Sequence, residues 1–416
     1  MLAGLVTLLC AAAPPVQQVV PPAVQPRDTL TSPASLQVFL VTFGPGEQVW
    51  ERFGHNAIWI RDPGAGTDLA YNWGMFSFDQ EGFLLRVLRG TMLYWMAPFP
   101  IEQMIDSYVS ANRSIEVQEL ALTADQKVEL QQMLALNALP ENAYYRYDYY
   151  RDNCSTRVRD ALDQVLGGRV RAALEGVPTG TTYRFHSRRL LKGMPLMYAG
   201  TQIVLSWKAD LEIDRWEEGF LPIKLMEALR DVRVPDGSGG ETPLVIAERE
   251  LYRSTGPPEP TTAPSHVLGY LGLGAGMALV LLLLARPESW ARIPLALVAG
   301  GWSLIAGTVG VVLLGAWFFT DHVFWYPNAN VLQFNPLLLV LAAMVLPLMV
   351  RAEPLRWAVT LGVAVAGLSL LGVVVKVLSG VNQQNGEILA LTLPSNLALL
   401  GALVRLRASA KATSPP

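Results

Sequence analysis

From Val267 onward the chain is almost continuously apolar, and this constrains it more than any other feature. Five stretches are long and apolar enough to cross a bilayer: residues 267–285, 293–319, 336–350, 357–378 and 388–404. A hydrocarbon core about 30 Å thick needs roughly 20 apolar helical residues. The third stretch is short, so its span is expected to begin near Val331. The fifth contains Pro394, which membrane helices tolerate because neighbours re-satisfy the freed backbone groups. Only 16% of the 416 residues are charged, and the shortfall lies in this half. Residues 27–253 have the composition of an ordinary globular domain.

Arginines fix the expected orientation. Arg286 and Arg292, Arg351 and Arg356, and Arg405, Arg407 and Lys411 fall on one set of loops and the C-terminal tail. The alternate loops, 320–335 and 379–386, carry neither Lys nor Arg. Positively charged loops stay inside, so the C-terminus is expected in the cytoplasm and everything before Val267 outside. The N-terminus agrees. Residues 2–13 are apolar, too short to span, and end in three alanines, the pattern of a signal peptide. Residues 14–26 are a Pro- and Val/Gln-rich spacer. The expected plan is therefore a signal peptide and spacer (1–26), an extracytoplasmic domain (27–253), a Pro/Thr-rich linker (254–266) that holds the domain against the outer leaflet, and a five-helix transmembrane bundle (267–416).

The soluble half reads as α+β. Strands are expected at 36–43, 56–61, 69–73 and 115–120, and helices at 83–89, from Thr123 to about 139, and from Asp152 or Asn153 to 166, where Gly167 and Gly168 end the last one. That last helix carries the most informative segment, YYRYDYYRDNCSTRVRDALDQVLGG. Of the two cysteines, Cys10 lies in the signal segment, which leaves Cys154 without a disulfide partner once that segment is removed. Cys154 falls at the helix start, where unpaired N–H groups and the helix dipole stabilise an anion. A thiolate there is expected to have a lowered pKa, and the same amides suit an oxyanion hole. Asn153, Ser155 and Arg157 flank it as candidate substrate-binding groups.

A thiol nucleophile wants a base with an orienting third group. The domain offers His55 in RFGHNAIWI and His186 in TTYRFHSRR; His186 sits among arginines that disfavour its protonation, so His55 is the better base. Asn72, on the next strand, can fix its tautomer, with Asp79 as the lesser orienter. A buried Cys is often core packing and a His beside a turn a satisfied polar group, so residue types alone leave both readings open. No second Cys or His stands at ligand spacing, so no metal or other cofactor is expected. A net charge of −3 without a basic, aromatic-interleaved patch argues against nucleic acid.

The Arg-free loops read TDHVFWYPNANVLQFN and SGVNQQNG. They fit an interfacial aromatic belt with amide caps, or a polar patch for a lipid head group built from His322, Asn328, Asn330, Asn335, Gln383 and Asn385. Arg184, Asp210 and Arg215 read as structural ion pairs.

FGHNAIWI, YNWGMFSF, YRYDYYRDNCSTRVRD, DLEIDRWEEGFLP, DHVFWYPNANVLQFNPL and VNQQNGEILALTLP resemble the Lnb N-terminal periplasmic domain family and its outer loops, over nearly the whole chain after Leu36. The order His, polar residue, helix-start Cys is also similar to circularly permuted NlpC-type papain-like folds, which include lecithin:retinol acyltransferase. The resemblance implies a papain-like periplasmic domain, with Cys154 as nucleophile, His55 as base and Asn72 as orienter. It implies a bacterial inner-membrane lipoprotein N-acyltransferase whose partners are a phospholipid acyl donor and a diacylated lipoprotein acceptor. Two rivals remain: a membrane-anchored cysteine peptidase or amidase acting on cell-wall peptides, and a non-enzymatic envelope scaffold.

Overall fold

The structure, a computed structural model, describes residues 35–236, 238–378 and 382–413. The expected signal peptide and spacer, with Cys10, lie outside the described residues. The chain divides into two compact units. One runs through Tyr183 and resumes over Glu212–Thr261; the other joins Arg184–Leu211 to Thr262–Pro416. The expected single domain over 27–253 therefore needs one correction: residues 184–211 belong with the apolar helices.

The first unit is built on a seven-stranded antiparallel sheet. Its strands are β1 (Gln37–Phe43), β2 (His55–Asp62), β3 (Thr67–Met75), β4 (Leu93–Pro100), β5 (Ile115–Leu120), β6 (Tyr144–Arg146) and β7 (Val245–Tyr252). They lie in the order β7-β5-β1-β2-β3-β4-β6. Alternation sorts β1 onto two faces. Val38 and Leu40 join Ile58, Ile60, Tyr71 and Trp73 in one buried cluster; Phe39, Val41 and Phe43 join Ala57, Trp59 and Ala70 in another. Helices α3 (Ala124–Asn137) and α4 (Cys154–Val165) cover the first face through Leu130, Leu134, Val158 and Leu162; α2 (Ile101–Ser110) covers the second through Ile101 and Met104. Thr123 caps α3 in a capping box with Gln126, as expected. A further short helix, α1 (Phe83–Arg89), has glycine in the left-handed region at both ends and buries none of its residues.

Among its described residues the second unit contains five helical segments long and apolar enough to cross a membrane: Val267–Leu284, Ser289–Phe319, Ala329–Met349, Arg356–Val377 and Gly386–Ala410. The third does begin near Val331, as two short 3₁₀ turns flanking Leu337–Val345. Small residues permit close approach. A Cβ on Gly310 would collide with the carbonyl oxygen of Phe334, and one on Gly274 would sit 2.5 Å from that of Ala390. Side-chain amides then bond the spans together. Trp302 Nε1 donates to Asn396 Oδ1 (2.9 Å), Asn396 Nδ2 to Ser369 Oγ (2.8 Å), and Gln333 Nε2 to the carbonyl of Ser369 (2.9 Å).

The same device attaches residues 184–211 to this unit. Asn328 Nδ2 donates to the carbonyls of Ile203 and Val204, and Asn330 Nδ2 to those of Gln202 and Ile203. Gln383 Nε2 donates to Leu205 and to Asn328 Oδ1, while Asn385 Nδ2 donates to Asn330 Oδ1. Arg184 and Asp210 form a fully buried ion pair at 2.6 Å. Arg215 pairs with Asp231 at the surface of the first unit (2.7 Å), so both pairs match expectation. Removing one partner of a buried pair leaves an uncompensated charge and costs about 3–5 kcal/mol, whereas apolar replacement of both is far milder. Asp210→Ala should therefore lower the thermal midpoint of the detergent-solubilised chain sharply, and Arg184→Met/Asp210→Leu should restore most of it. Equal losses in the two variants would show that the charges themselves contribute little.

Candidate active site

Cys154 is the first residue of α4, and its surroundings explain why the helix starts there. Asn153 is the N-cap. Its Oδ1 accepts from the amides of Ser155 (2.9 Å) and Thr156 (3.0 Å), and the hydroxyl of Thr156 accepts from the amide of Asn153 (2.8 Å). The side chain of Asn153 thus takes two of the first-turn donors that a helix leaves open, and the carbonyl of Asn153 accepts from Arg157. The amide of Cys154 itself is not among those so taken. Asn153 Nδ2 ties the cap to the carbonyls of Tyr149 and Phe220. Ser155 Oγ donates to the carbonyl of Gly219 (2.7 Å) and accepts from Asn56 Nδ2 (3.2 Å). Arg157 pairs with Asp152 (2.5 Å) and lies over the ring of Tyr145.

Asn153, Ser155 and Arg157, expected as substrate-binding groups, thus make contacts that hold α4 in place. In the outer-loop group Asn335 is buried with neither side-chain atom hydrogen-bonded, whereas the other amides are engaged. Asn330, Gln383 and Asn385 are buried, and their amides bond to backbone carbonyls and to one another. His322 is buried and stacked on Trp325 at 4.3 Å. His186, the lesser base candidate, is buried in the second unit and accepts from Arg189 through Nδ1.

His55 begins β2 and Asn72 lies on the neighbouring β3, on the sheet face that also carries Ala57 and Ala70. Nε2–H of His55 donates to Oδ1 of Asn72, which fixes the tautomer and leaves the ring's lone pair at Nδ1. Asn72 is held in turn by a contact from its Nδ2 to the sulfur of Met75 (3.4 Å). Asn72, rather than Asp79, therefore orients the imidazole. The ring also stacks parallel to Tyr108, which packs on Phe43 at 3.7 Å.

Gly74 marks the point where the two groups meet. It has a φ of +101° and sits at a bulge in the β3–β4 pairing. A Cβ built on it would lie 3.6 Å from Cβ of Cys154 and 3.6 Å from Cε1 of His55. Those two atoms are thus no more than twice that distance apart, and a Cβ on any other residue at 74 would touch both. Bulges that re-aim a strand beside a site are a recurrent device.

The charge states differ from expectation. Burial pushes the Cys154 thiol up to about 11, although the amides of Asn56 and Ser155 and the charge of Arg113 pull it back. Burial, reinforced by Arg113, lowers His55 to about 4, and the bond to Asn72 opposes this. At neutral pH the pair therefore rests as a thiol beside a neutral imidazole, not as the expected thiolate. The reason is one of magnitude. A helix terminus contributes roughly 0.3–1 kcal/mol, which the desolvation of the buried sulfur outweighs. Arg113 was not legible as a site residue. It is buried, donates to the carbonyl of Gly44 (2.9 Å), lies 3.6 Å from Glu51 and over the ring of Tyr108, and has an Nη2 with no hydrogen-bond partner. Burial also raises the phenols of Tyr94, Tyr145 and Tyr147, with the field of Cys154 adding to each.

An oriented neutral imidazole next to a thiol at a helix start can pass a proton between sulfur and an incoming or departing group. The family description of the Lnb N-terminal periplasmic domain matches residues 26–189, and that of the Lnb transmembrane domain matches residues 276–381. No curated protein and no solved structure matches the chain. With both halves matched in order, the chain belongs to the Lnb family, as an inner-membrane protein with a periplasmic N-terminal domain and five apolar helices after it.

Proposed function

We propose that this protein is a cysteine acyltransferase that moves an acyl chain from a phospholipid to the N-terminal amine of a bacterial lipoprotein. The observation that carries the reading is the convergence of Cys154 and an Asn72-oriented His55 on Gly74, in a chain of the Lnb family.

In the first half-reaction, Nδ1 of His55 takes the thiol proton as the sulfur of Cys154 attacks the ester carbonyl. The carbonyl–oxygen bond of the ester breaks, and the imidazolium returns its proton to the departing lyso-lipid. In the second, the acceptor amine attacks the thioester, His55 takes the amine proton, and the carbon–sulfur bond breaks. The sulfur leaves as thiolate and is reprotonated from His55, which restores the resting pair. The amide of Cys154 is the helix-start donor suited to the tetrahedral oxyanion. Both substrates are membrane-embedded lipids, and the arginine pattern of the loops favours a cytoplasmic C-terminus, so the catalytic domain works on the periplasmic side, where such acceptors are anchored.

The test is reconstitution of the full chain with a phospholipid and a synthetic diacylated lipopeptide, read by mass spectrometry. A product heavier by one acyl group is expected. Cleavage of the peptide would favour an amidase, and an unchanged lipopeptide would favour a scaffold. Asn72→Ala should lower the acylation rate by roughly 10²-fold, at the low end of the roughly 10²–10⁴-fold that general acid–base catalysis contributes; an unchanged rate would remove Asn72 from the machinery.

A further inference from the structure

The first unit exposes an apolar surface that ordinary folding does not account for. Helix α1 has the sequence FLLRVLR and buries none of its residues. Leu84 is 41% exposed, Leu85 50%, and Trp50 37%. A seven-residue helix is too short to be stable in water on its own propensity and depends on burying an apolar face. Rings continue inward from it. Phe83 meets Phe78 at 5.3 Å, Phe78 meets Phe76 at 5.0 Å, Phe76 stacks on Tyr94 at 5.1 Å, and Tyr94 stacks on Tyr147 at 4.0 Å. Trp50 packs edge-on against both Phe76 and Phe78. Tyr94 and Tyr147 are partly buried in the same cluster as Cys154. The ring series therefore joins an exposed apolar helix to the candidate nucleophile.

We propose that α1, with Trp50, inserts into the outer leaflet of the membrane as a lipid-docking surface, and that an acyl chain leaves the bilayer along the aromatic series toward Cys154. Three observations select lipid as the occupant. The described residues include five apolar spans, so a bilayer is the apolar phase this molecule always has at hand. Arg86 and Arg89 stand in the last turn of α1, suited to lipid phosphates, while the exposed Asp79 and Glu81 precede the helix. Such a mix of Trp, Phe and Leu with arginine is the composition of interfacial elements that lie in a membrane surface. Continuity with the site is the third. The docking step stands by itself; the acyl-chain path rests on Cys154 being the nucleophile.

The experiment uses the full chain in lipid nanodiscs, with Cys10 and Cys154 replaced by serine and a spin label attached at Leu85→Cys. The control is Leu136→Cys, on α3 of the same unit, where leucine is 59% exposed. Compared with the control, the label at 85 should collide several-fold less with a water-soluble nickel chelate and several-fold more with oxygen. Leu84→Cys provides a second site on the same helix. Water-like collisions at 85 and 84, equal to those at 136, would overturn the proposal. So would shielding from both reagents, which would indicate a protein contact instead. Because this background lacks the thiol, the measurement is independent of acyl transfer. A lipid-embedded label with no acyl-enzyme in the unmodified protein would leave the docking surface standing and remove the proposed reaction.

Discussion

Purified wild-type protein incubated with phospholipid should gain one acyl group that hydroxylamine removes at neutral pH, and Cys154→Ser should gain none that behaves in this way. The distinction is chemical. Hydroxylamine cleaves a thioester under conditions that spare an oxygen ester, so an adduct on the hydroxyl of that variant, if it formed, would persist. Overall acyl transfer should fall by at least about 10⁴-fold, since removing the nucleophile of a catalytic group that acts as a unit eliminates nearly all of its joint effect. The fold should survive. Cys154 is only partly buried, and α4 is held by Asn153, Thr156 and Ser155 instead of by the thiol. His55→Gln should weaken adduct formation by roughly 10²–10⁴-fold without abolishing it. An adduct of equal yield on Cys154→Ser would remove the sulfur from the mechanism and leave family membership untouched.

The parts of this protein that were legible in its sequence are those set by local pattern. The five spans follow from apolar length, and α3 and α4 start at the capping residues Thr123 and Asn153. His55 and Cys154 could be ranked because each begins an element, and Asn72 because it lies within the strand next to that of His55. What was missed depends on distance in sequence. Strand β4 contains Pro98 and Pro100, which break a strand pattern; it tolerates them because β6 pairs only with its first three residues and leaves the rest an edge. Strand β7 reads VIAERELY, charged and exposed, and exists only because β5 is there to pair with it. The amides of Asn330, Gln383 and Asn385 illustrate a further limit. Residue type says that an amide in a membrane loop must find partners, but not whether they are lipid or the carbonyls of residues 202–205. Arg113 gave no local signal, since its relevance arises only when Tyr108 and β1 bring its charge near His55 and Cys154.

That charge leads to a signed pH prediction. With the thiol at about 11, only about 10⁻⁴ of Cys154 is ionised at pH 7, against about 10⁻² for a thiol at the ordinary 9. Alkylation by iodoacetamide at pH 7 should therefore be about 10²-fold slower than for an ordinary thiol of equal access, and should climb about tenfold per pH unit up to pH 10. A plateau above pH 7 would show the thiolate–imidazolium pair instead. Acyl transfer behaves differently, because His55 removes the proton during attack. Its kcat/KM, which reports the free enzyme, should hold steady through neutral pH and fall only in acid, with a midpoint near 4. Stability follows the same group. His55 sits below its ordinary 6.5, so the unfolded chain binds the proton more readily, and its neutral form contributes stability that is present above 6.5 and lost as pH falls toward 4. Arg113→Met tests the origin of both values. Its charge lowers His55 and Cys154 alike, so without it the acid limb of kcat/KM should move toward neutral while alkylation becomes slower still. A merely structural role for Arg113 would change the rates without moving either midpoint, whereas a shift of the two in opposite directions would mean that the guanidinium does not act on them through its field.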